Sequence, residues 1–203
     1  LTCVQQSVMN FGILMVQGLV NSFGAGIMAA FAAAVKIDSF AYMPVQDFGN
    51  AFSTFVAQNY GAGKKERIEE GIRRSSAAIF LFCEVISSAV FLFARPLMMI
   101  FIPPSETEII REGVRYLRIE GACYIGIGLL FMLYGFYRAV RRPGMSVVLT
   151  VISLGTRVVL AYLLSSISWI GVTGIWVSVP IGWLLADAAG IGWYWMRKQD
   201  LLT

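Results

Sequence analysis

Long apolar segments, separated by short turns, occupy almost the whole sequence. The clearest junction is the run FVAQNYGAGKKER, residues 55–67, which has apolar sequence before it and again from Ala77. A helix needs about 20 mostly apolar residues to cross about 30 Å of hydrocarbon. With 58% hydrophobic and only 14% charged residues, the 203-residue chain has too little polar side chain to cover a soluble domain of this size. These features predict an all-α membrane protein.

Six membrane-spanning helices and one short polar helix are predicted. The spans cover about residues 1–22, 27–58, 75–94, 121–139, 145–164 and 172–195. Pro44 is expected to kink the second span, because its ring removes a backbone donor. Arg95-Pro96 is expected to end the third. The sequence SETE after Pro104 has the pattern of a capping box, so a helix over residues 105–118 is predicted to lie in the membrane interface.

The basic residues lie mostly on one side of this arrangement. They follow the second span, the fourth span and the sixth span: Lys64, Lys65, Arg67, Arg73, Arg74, Arg138, Arg141, Arg142, Arg197 and Lys198. The turns at residues 23–26 and 165–171 have none, and the short polar helix, with three arginines and three glutamates, is the exception. Because cytoplasmic loops of membrane proteins are enriched in Lys and Arg, the Lys64 loop and the carboxy terminus are predicted to be cytoplasmic. The chain is therefore expected to be a multi-pass protein of the plasma or inner membrane.

Several classes of function require residues or spacings that this sequence does not have. There is no His, and the cysteines at positions 3, 83 and 123 are far apart, without a zinc or disulfide spacing. The GAGKK run has Gln58 where a phosphate-binding loop needs its first glycine, and Lys65 where it needs Ser or Thr. The basic clusters are short and lie between apolar segments, so the net charge of +4 does not indicate nucleic acid. No catalytic residue, metal ligand or cofactor is predicted, and an enzyme is not expected.

Four polar residues of the first span share one stripe of the helix. A helix turns by about 100° per residue, so side chains at suitable offsets share one face. The four residues with such offsets are Gln6, Asn10, Gln17 and Asn21. Polar residues in membrane helices often form hydrogen bonds between helices. The alternative is that this face lines a cavity and offers neutral donors and acceptors to a substrate.

The second span carries both charged and amide side chains. Lys36, Asp47 and Asn50 are nearly in line, while Asp38 points to a different face from Lys36. A static Lys–Asp pair is one interpretation. The other is that Asp38 or Asp47 exchanges a proton or a sodium ion for substrate, since carboxylates inside membranes often mark such pathways.

Three further charges lie near the middles of the third, fifth and sixth spans. They are Glu84, Arg157 and Asp187, and their similar depths allow a buried charge network. Arg157 has five donors and does not lose its proton, which suits a clamp for one or both acids. A structural pair and an ion site both remain open.

Several longer runs resemble the multidrug and toxic compound extrusion (MATE) transporters. They are AAFAAAVKIDSFAYMP, AFSTFVAQNYGAGKKERIEEGIRRS, GFYRAVRRPG and IGVTGIWVSVPIGWLLAD. The usual loop of that family reads Gly-Gln-Asn-x-Gly-Ala-Gly-Lys, and Ala57 replaces its first glycine here. The resemblance implies one lobe of a transporter with twelve membrane helices in two six-helix lobes. The chain looks like the carboxy-terminal lobe over residues 1–203, either a fragment or a separate half, with an amino-terminal lobe as its partner.

The resemblance also implies a function. Such transporters are antiporters that export organic, often cationic, compounds by alternating access, driven by sodium or proton entry, and half of one is not expected to transport. Some relatives use carboxylates within the first and fourth helices of this lobe. Here the first helix has none, and Glu120 stands only at the outer edge of the fourth span. Other relatives place the key aspartate in the amino-terminal lobe, so the resemblance leaves the coupling ion and its main ligand open.

Two other functions compete with export. A flippase for lipid-linked precursors would need a cavity rich in Arg and Lys, for which only Lys36 and Arg157 are available. A membrane scaffold subunit that does not transport would use its polar stripes only to join helices. The expected partners are the lipid bilayer and, for a transporter, a small organic substrate.

Overall fold

The computed structural model describes the backbone of residues 2–201 and most of their side chains. The side chains that it does not describe are those of Thr2, Cys3, Val4, Gln6 and Gln199. The described backbone forms seven α-helices: α1 (Thr2–Asn21), α2 (Ala25–Gly61), α3 (Lys65–Met99), α4 (Thr107–Gly121), α5 (Tyr124–Ala139), α6 (Pro143–Ser165) and α7 (Val172–Leu201). No strand occurs in these residues, which confirms the all-α prediction.

Four helices are long and apolar enough to cross a membrane by themselves. They are α2, α3, α6 and the part of α7 from Val172 to Lys198. A fifth span results if α4 and α5, which meet at an angle of 52°, are taken together. The described apolar part of α1, Ser7–Asn21, is shorter than the length of about 20 residues that a span requires. By length and composition the described residues contain four or five membrane spans, against the six that the sequence predicts, and the chain is a multi-pass membrane protein.

The loop between α2 and α3 is much shorter than the sequence predicts. Only three residues, 62–64, lie between the two helices, and Gly63 takes the left-handed conformation, with φ 66°, that favours glycine. The Lys64 amide donates to the Asn59 carbonyl at 2.9 Å, which closes the turn. Arg67, Arg73 and Arg74 therefore lie on the first turns of α3 and not in a loop. Glu66 near the positive end of the helix dipole supports this early start.

Proline does not end the third helix. Pro96 lies inside α3, and the helix continues to Met99. Proline removes one backbone hydrogen bond, but the next turn is retained because the Met98 side chain, fully buried, anchors it to the core. Pro44 likewise lies inside a continuous α2.

The short polar helix is part of the bundle. The predicted interfacial helix corresponds to α4, which packs against α2, α3 and α7. One face of α4 is buried through Ile110, Tyr116 and Leu117, whereas its arginines at positions 111, 115 and 118 are exposed. After a break at residues 122–123 the chain continues directly into α5. The amphipathic pattern therefore places the apolar face of α4 against neighbouring helices.

Helix α5 lies at the centre of the bundle, in close contact with α2. Every residue from Leu130 to Tyr137 is buried. A Cβ atom on Gly135 would lie 2.5 Å from the Gly49 carbonyl oxygen, so the two backbones touch. The Ser53 hydroxyl donates to the Gly135 carbonyl at 2.8 Å and adds a hydrogen bond at the same crossing. Small residues let membrane helices approach in this way, and the contact fixes α2 against α5.

Candidate functional site

A cavity of about 320 Å³ lies inside the bundle. We call it the bundle cavity. Side chains from every helix except α3 line it, and the charged ones are Asp38 of α2, Glu120 of α4 and Arg157 of α6. Burying one basic and two acidic side chains inside an otherwise apolar membrane bundle costs free energy. Such a cluster therefore marks a candidate functional site.

The two carboxyl groups are almost inaccessible. Asp38 is 2% exposed and Glu120 is 4% exposed. The Tyr124 hydroxyl donates a hydrogen bond to Asp38 Oδ1. Within the described residues, Asp38 Oδ2 and Glu120 Oε1 are buried and accept no hydrogen bond. Two acidic oxygens therefore have unused capacity for a proton or a cation.

Arg157 is the cation that faces this acid pair. It lies close enough to Asp38 and Glu120 for its charge to act on both carboxyl groups. Its Nε atom is buried without a hydrogen-bond partner in the described part of the chain. With both acids ionised, two negative charges and one positive charge leave a net charge of −1, which one proton or one monovalent cation would balance.

The bent pair of helices brings the acid group together. Tyr116, Glu120 and Tyr124 are spaced by four residues, so they follow one face across the break between α4 and α5. That face is turned toward Asp38 on α2. Tyr116 is held in place by edge-to-face contacts with Phe31, at 5.7 Å, and with Trp176, at 5.0 Å between ring centroids. Phe31 and Trp176 stack on each other at 5.6 Å, which makes the wall rigid.

The remainder of the bundle cavity is neutral, with aromatic, aliphatic and uncharged polar side chains. Its rings include Tyr42, Phe131, Tyr134 and Trp183, and Gln17 and Gln46 add amide groups. Aromatic faces attract organic cations through the ring quadrupole, and the amides offer hydrogen bonds to polar substituents. The lining therefore suits a small organic cation or a bare cation better than an anion.

Of the three members of the predicted α1 stripe whose side chains are described, one lies at the cavity. Gln17 lines it, whereas Asn10 and Asn21 have exposed side chains, and Gln6 lies outside the described side chains. The polar residue of α1 that the stripe missed is Gln5, which is buried and donates to the Thr150 hydroxyl at 2.9 Å. Gln5 joins α1 to α6, which is the interhelical role that polar membrane residues often have.

The structure separates the candidate residues of α2. Asp38 enters the bundle cavity, while Lys36, Asp47 and Asn50 are exposed on the other side of the helix. Asn50 accepts a hydrogen bond from Arg138 at 3.1 Å. Among the described ion pairs none joins Lys36 to an aspartate, so the static pair is not found.

The predicted network of Glu84, Arg157 and Asp187 is not brought together. Glu84 is exposed on α3, and Arg157 faces the acid pair. Asp187 is buried where α7 packs on α5, with both carboxyl oxygens lacking a hydrogen-bond partner among the described residues. Similar depth in the membrane does not make helices neighbours, and these three side chains point in different directions around the bundle.

Glu120 is the candidate site residue to which the sequence analysis gave too little weight. Its place at the edge of a predicted span suggested an outer position, yet it is buried beside Asp38. The sequence signal for Glu120 is the four-residue spacing of Tyr116, Glu120 and Tyr124. It continues one helical face from the predicted polar helix into the predicted fourth span.

Comparison with known proteins gives the family. The family model described as MatE matches residues 2–163 of the chain. A probable multidrug resistance protein, YpnP, of Bacillus subtilis (strain 168) is 28% identical over 193 residues, which is 94% of this chain and 42% of that protein. The probable multidrug resistance protein NorM of Thermotoga maritima is 25% identical over 179 residues, 88% of this chain and 38% of that protein. An FAD transporter of Shewanella oneidensis is 27% identical over 173 residues, 85% of this chain and 37% of that protein.

Solved structures have the same fold. A transporter of the MOP superfamily from Pyrococcus furiosus superimposes with a TM-score of 0.91 at 20% identity, covering 98% of this chain and 45% of its own. A multidrug resistance MATE family transporter in an outward-facing conformation gives a TM-score of 0.90 at 21% identity, covering 98% of this chain and 44% of its own. The chain thus spans about half the length, or slightly less, of the proteins that it matches. It belongs to the MatE family, as a multi-pass membrane protein with the fold of one part of a MATE transporter.

Proposed function

We propose that this chain is one half of a cation-coupled antiporter that exports organic, often cationic, compounds by alternating access. The observation that carries the proposal is the buried pair of Asp38 and Glu120, opposed by Arg157, in an aromatic cavity. The relatives described as multidrug resistance proteins support the same class of substrate.

Coupling requires that ion and substrate prefer different states of the transporter. Each ligand shifts the balance between inward-open and outward-open states only through its different affinity for the two. A sodium ion or a proton on the free oxygens of Asp38 and Glu120 would cancel the negative charge that attracts an organic cation. Occupation by the coupling ion would then favour release of the substrate.

The proposal includes a partner and an orientation. Because the chain spans about half of its relatives, an amino-terminal six-helix lobe is expected to complete the substrate path. Basic residues cluster at Lys64 and Lys65, at the start of α3 and at the end of α7. This distribution favours a cytoplasmic position for the Lys64 turn and the carboxy terminus.

The two competing functions are less consistent with the cavity. A flippase for pyrophosphate-linked lipids would need several cations, but the bundle cavity holds Arg157 against two acids, and Lys36 lies outside it. A scaffold subunit needs no buried acids with free oxygens, since interhelical joining uses satisfied hydrogen bonds such as that from Gln5 to Thr150.

Dye efflux tests the proposal. Cells that carry the complete gene are loaded with an ethidium-type dye, and its export is followed by fluorescence. Asp38→Asn and Glu120→Gln are expected to lower the export rate about tenfold or more, because a charged partner is worth about 1.5–3 kcal/mol. Glu108→Gln, an exposed carboxyl on α4, the helix that carries Glu120, is the matched control and is expected to export normally.

Each variant is quantified in the membrane before rates are compared. Export at the wild-type rate by both Asp38→Asn and Glu120→Gln would contradict the proposed ion site. Absence of efflux for the wild-type gene over a panel of cationic dyes would favour the scaffold. Proteoliposomes with either a sodium gradient or a pH gradient then identify the coupling ion.

A further inference from the structure

An apolar groove runs along the outside of the bundle between α2 and α3. Its volume is about 580 Å³, and the side chains at its edges include Phe40, Phe93 and Phe101. The three rings are 75%, 58% and 41% exposed, so the groove opens outward, away from the bundle cavity. We call it the α2–α3 groove.

The groove is long enough to hold an acyl chain of one membrane leaflet. Its lining on the α3 side extends from Ile86 to Ile100. Fourteen residues at about 1.5 Å each give about 21 Å, against about 15 Å for half of the hydrocarbon core. An acyl chain lying along α3 would therefore fill the groove from the membrane interface toward the middle of the bilayer.

A lysine stands at the interfacial end of the groove. The Lys36 ammonium lies 5.8 Å from the centre of the Phe101 ring, and Phe101 follows directly after the end of α3. Lys36 is exposed, and no ion pair of Lys36 occurs among the described residues. A charge inside a membrane span is costly unless it reaches the interface or meets an opposite charge. A lipid phosphate at the end of the helix offers that charge.

From the groove and the cation above it, we infer that the α2–α3 groove is a binding site for one anionic phospholipid. One acyl chain lies along Phe93 and Ile86, and the phosphate contacts Lys36. An anionic headgroup is favoured over a zwitterionic one, because Lys36 has no ion pair among the described residues and one net negative charge on the headgroup balances its charge. The inference does not depend on transport.

Native mass spectrometry of the complete protein tests the site. The protein is purified in detergent, stripped of lipid, and titrated with phosphatidylglycerol or with phosphatidylcholine of the same acyl chains. The wild type is expected to bind one phosphatidylglycerol about fivefold more tightly than phosphatidylcholine, since one Lys near the surface contributes about that factor. Lys36→Gln is expected to abolish this preference, because phosphatidylglycerol binding falls more than the binding of phosphatidylcholine, whose phosphate charge is already balanced by choline.

Two further variants make the result specific. Arg118→Gln is the matched control, because Arg118 covers the Phe91 ring of α3 at 5.1 Å, and Phe91 does not line the groove. It is expected to keep the preference. Ala89→Phe fills the groove and is expected to weaken the binding of both lipids.

Three outcomes would overturn the inference. Equal binding of both lipids by the wild type would exclude headgroup recognition at Lys36. An equal loss of preference in Lys36→Gln and Arg118→Gln would show a bulk charge effect without a groove. A thermally less stable Lys36→Gln protein with unchanged lipid binding would show that Lys36 pairs with an acid elsewhere in the complete protein.

Discussion

At the scale of single residues, the site depends on how one aspartate is held. Asp38 receives its hydrogen bond from Tyr124, and its second oxygen is left without a partner in the described chain. A donor on one oxygen fixes the orientation of the carboxyl group, so that the other faces Glu120 and the bundle cavity. We therefore expect Tyr124 to act as a positioning residue for the proposed ion site.

Replacement of Tyr124 by Phe tests that role. Loss of a hydrogen bond to a charged group costs about 1.5–3 kcal/mol, so Tyr124→Phe is expected to lower dye export about tenfold. In the Asp38→Asn background the same change is expected to add little, because the partner is already altered. Tyr162→Phe, an exposed tyrosine of α6, serves as the control. Equal, additive losses in both backgrounds would show that Tyr124 does not act through Asp38.

At the scale of helices, close backbone contacts fix the elements that carry the site. Helices α2 and α5 touch at Gly49 and Gly135, and α6 and α7 touch where a Cβ on Gly182 would lie 2.4 Å from the Ser153 carbonyl oxygen. By contrast, the one ion pair between helices in the described chain joins Lys198 of α7 to Glu69 of α3 at 3.0 Å. It lies at a partly exposed end of the bundle, where such pairs contribute little. Packing of small residues, and not ion pairing, therefore holds the bundle together.

A single methyl group added at the crossing of α2 and α5 is expected to destabilise the protein. In Gly135→Ala the new Cβ would collide with backbone, which cannot move aside as a flexible side chain can. The cost is expected to be about 1–3 kcal/mol, seen as a lower midpoint in thermal or denaturant unfolding in detergent. Gly155→Ala on α6 is the matched control, because nothing lies within 4 Å of its Cβ position. A Gly135→Ala protein as stable as the Gly155→Ala protein would contradict the contact.

At the scale of the whole molecule, charge distribution and chain length decide how the bundle sits and what completes it. Most of the basic side chains lie between the end of α2 and the first turns of α3, around the turn after α5, and at the end of α7, whereas the turn after α6, residues 166–171, has none. This asymmetry orients membrane proteins during insertion. The chain covers less than half of each curated relative that it matches, so the rest of the proposed transporter has to come from sequence outside these residues.

Cysteine labelling tests the orientation. In a background with Cys3, Cys83 and Cys123 changed to Ser, single cysteines replace Ala62 and Ser166, which are exposed in opposite turns. A membrane-impermeant maleimide is expected to label Ser166→Cys in intact cells, and Ala62→Cys only after the cells are permeabilised. The reverse pattern would place the Lys64 turn outside the cell and refute the proposed topology.

The sequence alone determined the class and order of the helices. Apolar segments of membrane length and basic turns predicted an all-α, multi-pass protein, and the residues around Lys64 carried the resemblance to the MATE transporters, which the family match confirms. These features are local, since hydrocarbon requires each segment to satisfy its own backbone hydrogen bonds as a helix. The ends of the helices were predicted less accurately than their order. Charged residues such as Arg73 can extend a helix beyond the membrane as readily as they can form a loop.

Only the tertiary structure decided which polar residues meet. Helical spacing assigns a residue to a face of its own helix, but it does not say which neighbour that face contacts. Glu84, Arg157 and Asp187 have similar depths and do not meet, whereas Asp38 and Glu120, from segments 82 residues apart, share one cavity. The reason is physical: the bend between α4 and α5 and the glycine contacts that set the helix positions arise from packing across the bundle, which no single segment encodes.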